Sequence, residues 1–140
     1  MNKINYLAIL VTGLLAFGLS LVWYSPLLFG NVWAQTDGGS VAATPMWKFF
    51  TAPLREIITA AVLSFLIMRI KPKNWKDAVV LALVLWFGFY VVQLTGAIIW
   101  ENASLQLSAV HAGDWLMKTL FMTIVLSAWQ RRTSRKAKQS

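Results

Sequence analysis

The 140-residue sequence contains no cysteine, a single histidine and only five acidic residues. The lack of cysteine excludes disulfides, thiol redox chemistry and thiolate metal sites. Because His111 is the one histidine, a site built from several histidines of one chain is excluded too. The sequence has no glycine-rich phosphate loop and no histidine pair at metal-ligand spacing, so we expect no enzyme activity, no metal and no cofactor.

Charge is also scarce. Only 13% of the residues are charged and 58% are hydrophobic, whereas a soluble domain carries about 25% charged residues. This composition predicts a protein whose solvent and partner is the lipid bilayer. The formal net charge of +8 does not indicate nucleic-acid binding, because the basic residues form short runs beside apolar stretches and no continuous basic face.

The apolar stretches are long enough to cross a bilayer, since about twenty residues at about 1.5 Å each span about 30 Å of hydrocarbon. Four such stretches predict an all-α, integral membrane four-helix bundle in a single domain, 1–140. The predicted spans cover about 4–24, 54–70, 78–100 and 110–129. A cleaved signal peptide is the alternative for the first stretch, because Lys3 precedes it, but the apolar run is longer than usual for a signal.

The loop charges predict the direction of the spans, because lysine and arginine are retained on the cytoplasmic side. Most of the thirteen basic residues lie near the N-terminus, between spans two and three, or in the tail 130–140. The connection 25–53 contains one basic residue, Lys48, and the connection 101–113 contains none. We therefore expect both termini in the cytoplasm, an outer loop at 25–53, and a multi-pass protein of the bacterial inner membrane.

Small residues recur every four positions on three of the spans, as they do where membrane helices approach closely. The ridges consist of Ala8, Thr12, Ala16 and Ser20; of Ala60 and Ser64; and of Thr119, Thr123 and Ser127. They predict packing within one chain, and a homo-oligomer interface is the alternative.

Span three carries a different pattern. Trp86, Tyr90, Gln93, Ala97 and Trp100 follow each other at spacings of three and four, which places them on one face of a regular helix. Such a face could line a cavity for an apolar or cationic ligand, because ring faces attract cations. An ordinary aromatic core is the alternative interpretation.

Four charged residues and one amide share a depth within the predicted bilayer. Lys118 lies about 17 Å from the inner boundary, and Asp114, Arg55, Glu56 and Gln93 lie about 20 to 24 Å from it, at about 1.5 Å per residue. Charges at such depths usually face the bundle interior and pair with one another. We predict a contact between Glu56 and Lys118, and a pair between Asp114 and Lys118 one turn apart.

This polar level predicts an outward-facing vestibule that binds a small solute or ion, with His111 and Glu101 near its mouth. The candidate ligand-binding residues are Glu56, Gln93, Asp114, Lys118, Trp86 and Tyr90. The alternative is that spans two and four are short and these side chains snorkel to the outer headgroups.

The segment WYSPLLFG at 23–30, followed by Trp33, resembles the N-terminal hallmark of a bacterial family of small membrane proteins classed as a domain of unknown function. WFGF at 86–89 and AGDW at 112–115 extend the resemblance over nearly the whole chain. The resemblance implies a four-helix membrane domain and brings no activity with it.

Two functions remain open at this point. The polar level and the aromatic face favour the binding or transport of a small solute or ion, and transport would require several copies of so small a chain. Alternatively, the chain is an accessory or scaffold subunit that binds a larger membrane protein through its helix surfaces, for which no polar site is needed.

Overall fold

The computed structural model describes residues 4–37 and 45–137, apart from the side chains at 36, 37, 49, 136 and 137. Within these residues the chain is all-α. The helices are α1 (Tyr6–Trp23), α2 (Gly30–Asp37), α3 (Met46–Ile70), α4 (Trp75–Leu85), a π-helical turn (Trp86–Val91), α5 (Val92–Trp100) and α6 (Leu105–Ala137). The segments α4, π-turn and α5 form one continuous helix from Trp75 to Trp100.

Local polar residues define the starts of two helices. The side chain of Asn5 accepts a hydrogen bond from the Ala8 N–H and caps α1. The side chain of Asn74 accepts one from the Asp77 N–H and caps α4, with Asp77 in the first turn, where its charge suits the helix dipole. Lys71 ends α3 in a left-handed conformation, with φ of 54°, so that the chain reverses within four residues.

Three helices in the described part of the chain are long and apolar enough to cross a membrane. They are Tyr6–Trp23, Met46–Ile70 and Trp75–Trp100. The predicted fourth span lies in α6, which is 33 residues long and is not one of these three. Its predicted span contains both Asp114 and Lys118, and charged residues lower its apolar character.

Two helices extend beyond the spans predicted from the sequence. Helix α3 begins at Met46, eight residues before the predicted start at 54, with Pro53 inside the helix. The predicted outer loop 25–53 therefore contains α2 and the first two turns of α3. Helix α6 also extends to Ala137, past the predicted end at 129.

The small-residue ridges form the centre of the bundle, where α1 packs against both α3 and α6. Every member of the three ridges has an exposed fraction of 9% or less. A Cβ atom added at Gly13 would lie 2.8 Å from the Ile57 Cα atom, so α1 and α3 are in backbone contact there. The prediction of packing within the chain is confirmed, and these ridges are not available to a second copy.

Part of the core is apolar. Ala8, Ile9, Ala60, Leu63, Ile67, Met122 and Leu126 belong to one buried apolar cluster. The outer surface of the described chain carries many large apolar side chains, including Leu14 on α1, Phe65 on α3 and Phe89 in the π-turn. An apolar surface around a partly polar interior suits a lipid solvent.

Candidate functional site

A buried ion cluster joins α3 and α6. The Lys118 side chain is completely buried, and its Nζ lies 2.8 Å from Oε1 of Glu56 and 2.8 Å from Oδ2 of Asp114. The second oxygen of Asp114, Oδ1, accepts a hydrogen bond of 2.7 Å from the Ser20 hydroxyl. The predicted contact between Glu56 and Lys118 is therefore confirmed, as is the pair between Asp114 and Lys118.

The three helices that meet at the centre of the bundle position this cluster. Glu56 continues the small-residue face of α3, Asp114 and Lys118 are one turn apart on α6, and Ser20 ends the α1 ridge. With Glu56 and Asp114 both 2% exposed or less, the snorkelling alternative is wrong for these side chains. Arg55, about 100° further round α3, points outward, with a side chain 61% exposed.

The cluster is not fully satisfied. Two carboxylates face one ammonium, and Oε2 of Glu56 is buried without a hydrogen-bond partner. Arg55 approaches Oε1 of the same carboxylate only at 3.4 Å, which is long for a charged hydrogen bond. Buried charges with incomplete pairing are costly, so the unsatisfied oxygen of Glu56 marks this cluster as a candidate site.

Gln93 does not join the cluster. Its side chain is exposed, whereas the predicted face places it beside Tyr90 in the interior. The cause is the π-helical turn Trp86–Val91, which adds one residue to a turn and rotates everything beyond it by about 100°. Trp100, 84% exposed, leaves the predicted face for the same reason.

Trp86 and Tyr90 lie before this rotation takes full effect, and both face α6. The Trp86 indole donates a hydrogen bond of 2.9 Å to the Ala112 carbonyl. The Tyr90 and Trp115 rings are in tilted contact, with their centroids 5.1 Å apart. Of the predicted aromatic face, these two rings therefore reach the neighbourhood of the ion cluster.

A cavity of about 770 Å³ opens beside the cluster. Its lining combines six aromatic rings with three charged side chains, one histidine and two small residues. The lining residues are Phe17, Tyr24, Trp33, Trp47, Lys48, Thr51, Ala52, Arg55, Tyr90, His111, Asp114 and Trp115. Asp114 belongs to both the cavity and the ion cluster, so the two form one site.

The end of α1 is fastened to the beginning of α6 at one side of this cavity. The Trp23 indole donates a hydrogen bond of 3.1 Å to the Val110 carbonyl, and a hydrogen bond of 2.6 Å joins the Tyr24 hydroxyl to Nδ1 of His111. A Cβ atom at Gly113 would lie only 2.6 Å from Cζ2 of Trp23. The three sequence segments that carry the family resemblance thus meet at this junction, since Ala112 also accepts from Trp86.

Gly30 closes the turn between α1 and α2. Its N–H donates to the Ser25 carbonyl, and a Cβ atom at this position would lie 2.6 Å from the Tyr24 carbonyl oxygen. The tight turn directs α2 back over the bundle, so that Trp33 reaches the cavity and contacts the edge of the Tyr24 ring, with centroids 6.0 Å apart.

Several lining residues come from segments that sequence reasoning places on the membrane surface. Trp33 on α2, and Trp47, Lys48 and Thr51 on the early part of α3, belong to the predicted outer loop. The aromatic content of that loop was the available signal, but its interpretation as a surface anchor left the rings outside the site. His111 lines the cavity as predicted near its mouth, whereas Glu101 is exposed and is not in the lining.

The polar and aromatic groups of the site are suited to holding a ligand. Among residues 4–37 and 45–137, no three histidine or acidic side chains lie close enough together to hold a metal ion. The Ser20 hydroxyl donates to a carboxylate that is already paired with an ammonium. Rings, two outward-facing cations and a fixed ion cluster remain, and these groups can hold a ligand by shape and charge.

Comparison with known proteins adds a family and no activity. Residues 7–127 match the model of a family described as "Protein of unknown function (DUF1761)". No curated protein and no solved structure matches the chain.

Proposed function

Since the chain belongs to the family of proteins of unknown function DUF1761, and membership assigns no activity, we propose from the site that it binds a small solute or ion in the aromatic-lined cavity. Of the predicted ligand-binding residues, Asp114 and Tyr90 line the cavity, and Lys118 and Glu56 lie behind them in the ion cluster that holds Asp114 in place. Trp86 supports the wall by its bond to Ala112, and Gln93, which is exposed, is not part of the site.

The observation that carries this proposal is the position of Asp114. Its carboxylate is 3% exposed, lines the cavity, and is fixed on one oxygen by Ser20 and on the other by Lys118. Ligand sites are typically apolar concavities with a few well-positioned polar groups, of about 300–1,000 Å³. The cavity, at about 770 Å³, has this character.

We further propose that the chain crosses a bacterial inner membrane four times, as a single domain with both termini in the cytoplasm. The three long apolar helices and the separation of basic residues along the chain support this arrangement. In this arrangement the cavity opens to the outer side of the membrane, because its lining comes from the outer ends of the predicted spans. Tyr24 ends span one, α2 lies in the predicted outer loop, and the start of α6 leads into span four. Transport of the solute would follow if several copies assemble.

The exposed face of the Trp75–Trp100 helix supports such assembly and also supports the second candidate function, an accessory subunit. Only 11% of the most apolar window of this helix is buried, and Gln93 exposes an amide on it. An amide that faces lipid is stabilised when another helix satisfies it. A second copy or a larger membrane protein would each supply that helix.

Thermal unfolding of the purified protein in detergent tests the binding function. We expect at least one member of a panel of small anionic, neutral and cationic solutes to raise the Tm, because a ligand stabilises the state it binds. The variant Ala52→Phe, which fills the cavity from its wall, should abolish that shift. The matched control Ala128→Phe, on α6 and outside the cavity lining, should leave the shift in place.

If no solute of the panel raises the Tm of the unmodified protein, the binding proposal is wrong. Stable co-purification with one larger membrane protein would then favour the accessory role.

A further inference from the structure

We propose that the cavity selects small amphipathic anions, with a carboxylate or similar group at Arg55 and Lys48 and a flat apolar body against the rings. This inference rests on the proposed binding function and names the ligand class of the same site.

The acceptor groups of the cavity argue against a cationic ligand. Asp114 is the one acidic residue in the lining, and both of its oxygens are already engaged, at 2.7 Å by Ser20 and at 2.8 Å by Lys118. Its side chain is 3% exposed. A cation entering the cavity would therefore meet no exposed carboxylate, and its partners would be the ring faces and the hydroxyl oxygens of the lining.

The cationic donor groups of the cavity, in contrast, are available to a ligand. Arg55 carries five N–H donors, and the one acid near it, Glu56, is held more closely by Lys118, at 2.8 Å against 3.4 Å. Lys48 forms no salt bridge with any acid in the described part of the chain. Both cations line the cavity and both are exposed, so an anion can reach them without breaking the buried cluster.

The aromatic wall sets the shape of the rest of the ligand. Arg55 lies 5.8 Å from the centre of the Trp115 ring, and Tyr90 packs against that ring from the other helix. Lys48 lies 5.9 Å from the centre of the Trp47 ring. A ligand anchored by its anionic group at these cations would place its body beside Trp115 and Trp47, where a planar ring can pack in offset or edge contact.

Three probes of nearly equal size and different charge test the inference. Benzoate is the anion, benzamide the neutral isostere and benzylamine the cation at neutral pH. We expect benzoate to raise the Tm of the full-length protein in detergent at concentrations at least about tenfold below those needed for benzamide, because a hydrogen bond to a charged group contributes about one factor of ten or more. Benzylamine should give the smallest shift.

Two arginines on α3 provide a matched pair of variants. Arg55→Gln should weaken benzoate binding at least about tenfold, while Arg55→Lys, which keeps the charge, should restore most of the affinity. Arg69→Gln is the control, since Arg69 is also exposed and lies 5.3 Å from the centre of the Phe65 ring, but outside the cavity. Circular dichroism of each variant before titration establishes that it is folded.

Benzylamine or benzamide binding as tightly as benzoate, with the shift lost in Ala52→Phe, would overturn the anion selectivity and leave the binding function intact. Unchanged benzoate affinity in Arg55→Gln would also overturn it. Failure of all three probes together with the whole solute panel would overturn both proposals.

Discussion

The burial of the charged Lys118 side chain carries a high energetic cost. Lys118 is a long, charged side chain with no exposed surface in the centre of a helical bundle, and it is held there by carboxylates from two helices. Each of the three buried charges depends on the others, because removing one leaves its partners uncompensated in a medium of low dielectric constant. The cluster therefore joins α3 to α6 through charges that cannot be removed singly without cost.

The variant Lys118→Met tests this dependence. Methionine has a similar length but leaves Glu56 and Asp114 buried without a cation, and we expect a loss of about 3–5 kcal/mol in the free energy of unfolding. The control Lys76→Met removes an exposed lysine from the first turn of α4 and should change stability by no more than about 0.5 kcal/mol. Denaturant unfolding in detergent, followed by circular dichroism, measures both.

The double variant Glu56→Gln with Lys118→Met adds an internal check. Its cost should be smaller than the sum of the two single costs, because the two side chains interact directly. Equal losses in Lys118→Met and Lys76→Met would contradict the structural importance of the cluster.

At the scale of the helices, the decisive feature is the π-helical turn in the middle of the helix Trp75–Trp100. It lets Trp86 and Tyr90 face α6 while turning Gln93 outward. Such turns are frequent at functional sites, and this one lies directly at the cavity wall. The regular helical period therefore predicts correctly which side chains face α6 at Trp86 and Tyr90, and incorrectly for Gln93 beyond the turn.

A second contact between helices joins the end of α1 to the start of α6. The variant Gly113→Ala tests it. The added methyl group would displace the Trp23 ring, which lies 2.6 Å from that position, and would disturb the Trp23 bond to Val110. We expect a loss of about 1–3 kcal/mol, as for other overpacked sites, seen as a lower Tm.

Gly18→Ala is the matched control for this variant, because a Cβ atom on Gly18 of α1 meets no atom within 4 Å. It should be neutral or stabilise the helix by up to about 1 kcal/mol. A Tm for Gly113→Ala as high as that of Gly18→Ala would show that the junction tolerates repacking.

For the whole molecule, the proposed orientation in the membrane can be tested by labelling single introduced cysteines, because the chain contains no cysteine of its own. We expect Gln106→Cys, an exposed position at the start of α6, to react with a membrane-impermeant maleimide on intact cells. Lys73→Cys, in the turn between α3 and α4, should react only after permeabilisation. The reverse pattern would invert the topology, and equal labelling of both positions would contradict it.

The helical class, the apolar character and the three charged residues of the ion cluster could all be predicted from the amino-acid sequence. These follow from periodicity and from the cost of burying charge, which are properties of short segments. The pairing of Glu56 with Lys118 was predictable for this reason: both lie at one depth, and each needs a partner. The ridges of small residues were predictable on the same grounds.

The residues that enclose the cavity could not be predicted in this way, because they depend on how distant segments pack. Trp33, Trp47 and Lys48 reach it because the turn at Gly30 directs α2 over the bundle and because α3 begins before Pro53. Gln93 leaves it because one extra residue in the π-turn changes the phase of the helix. Such positions depend on turns and on contacts between distant segments, so a chain read with one helical period cannot supply them.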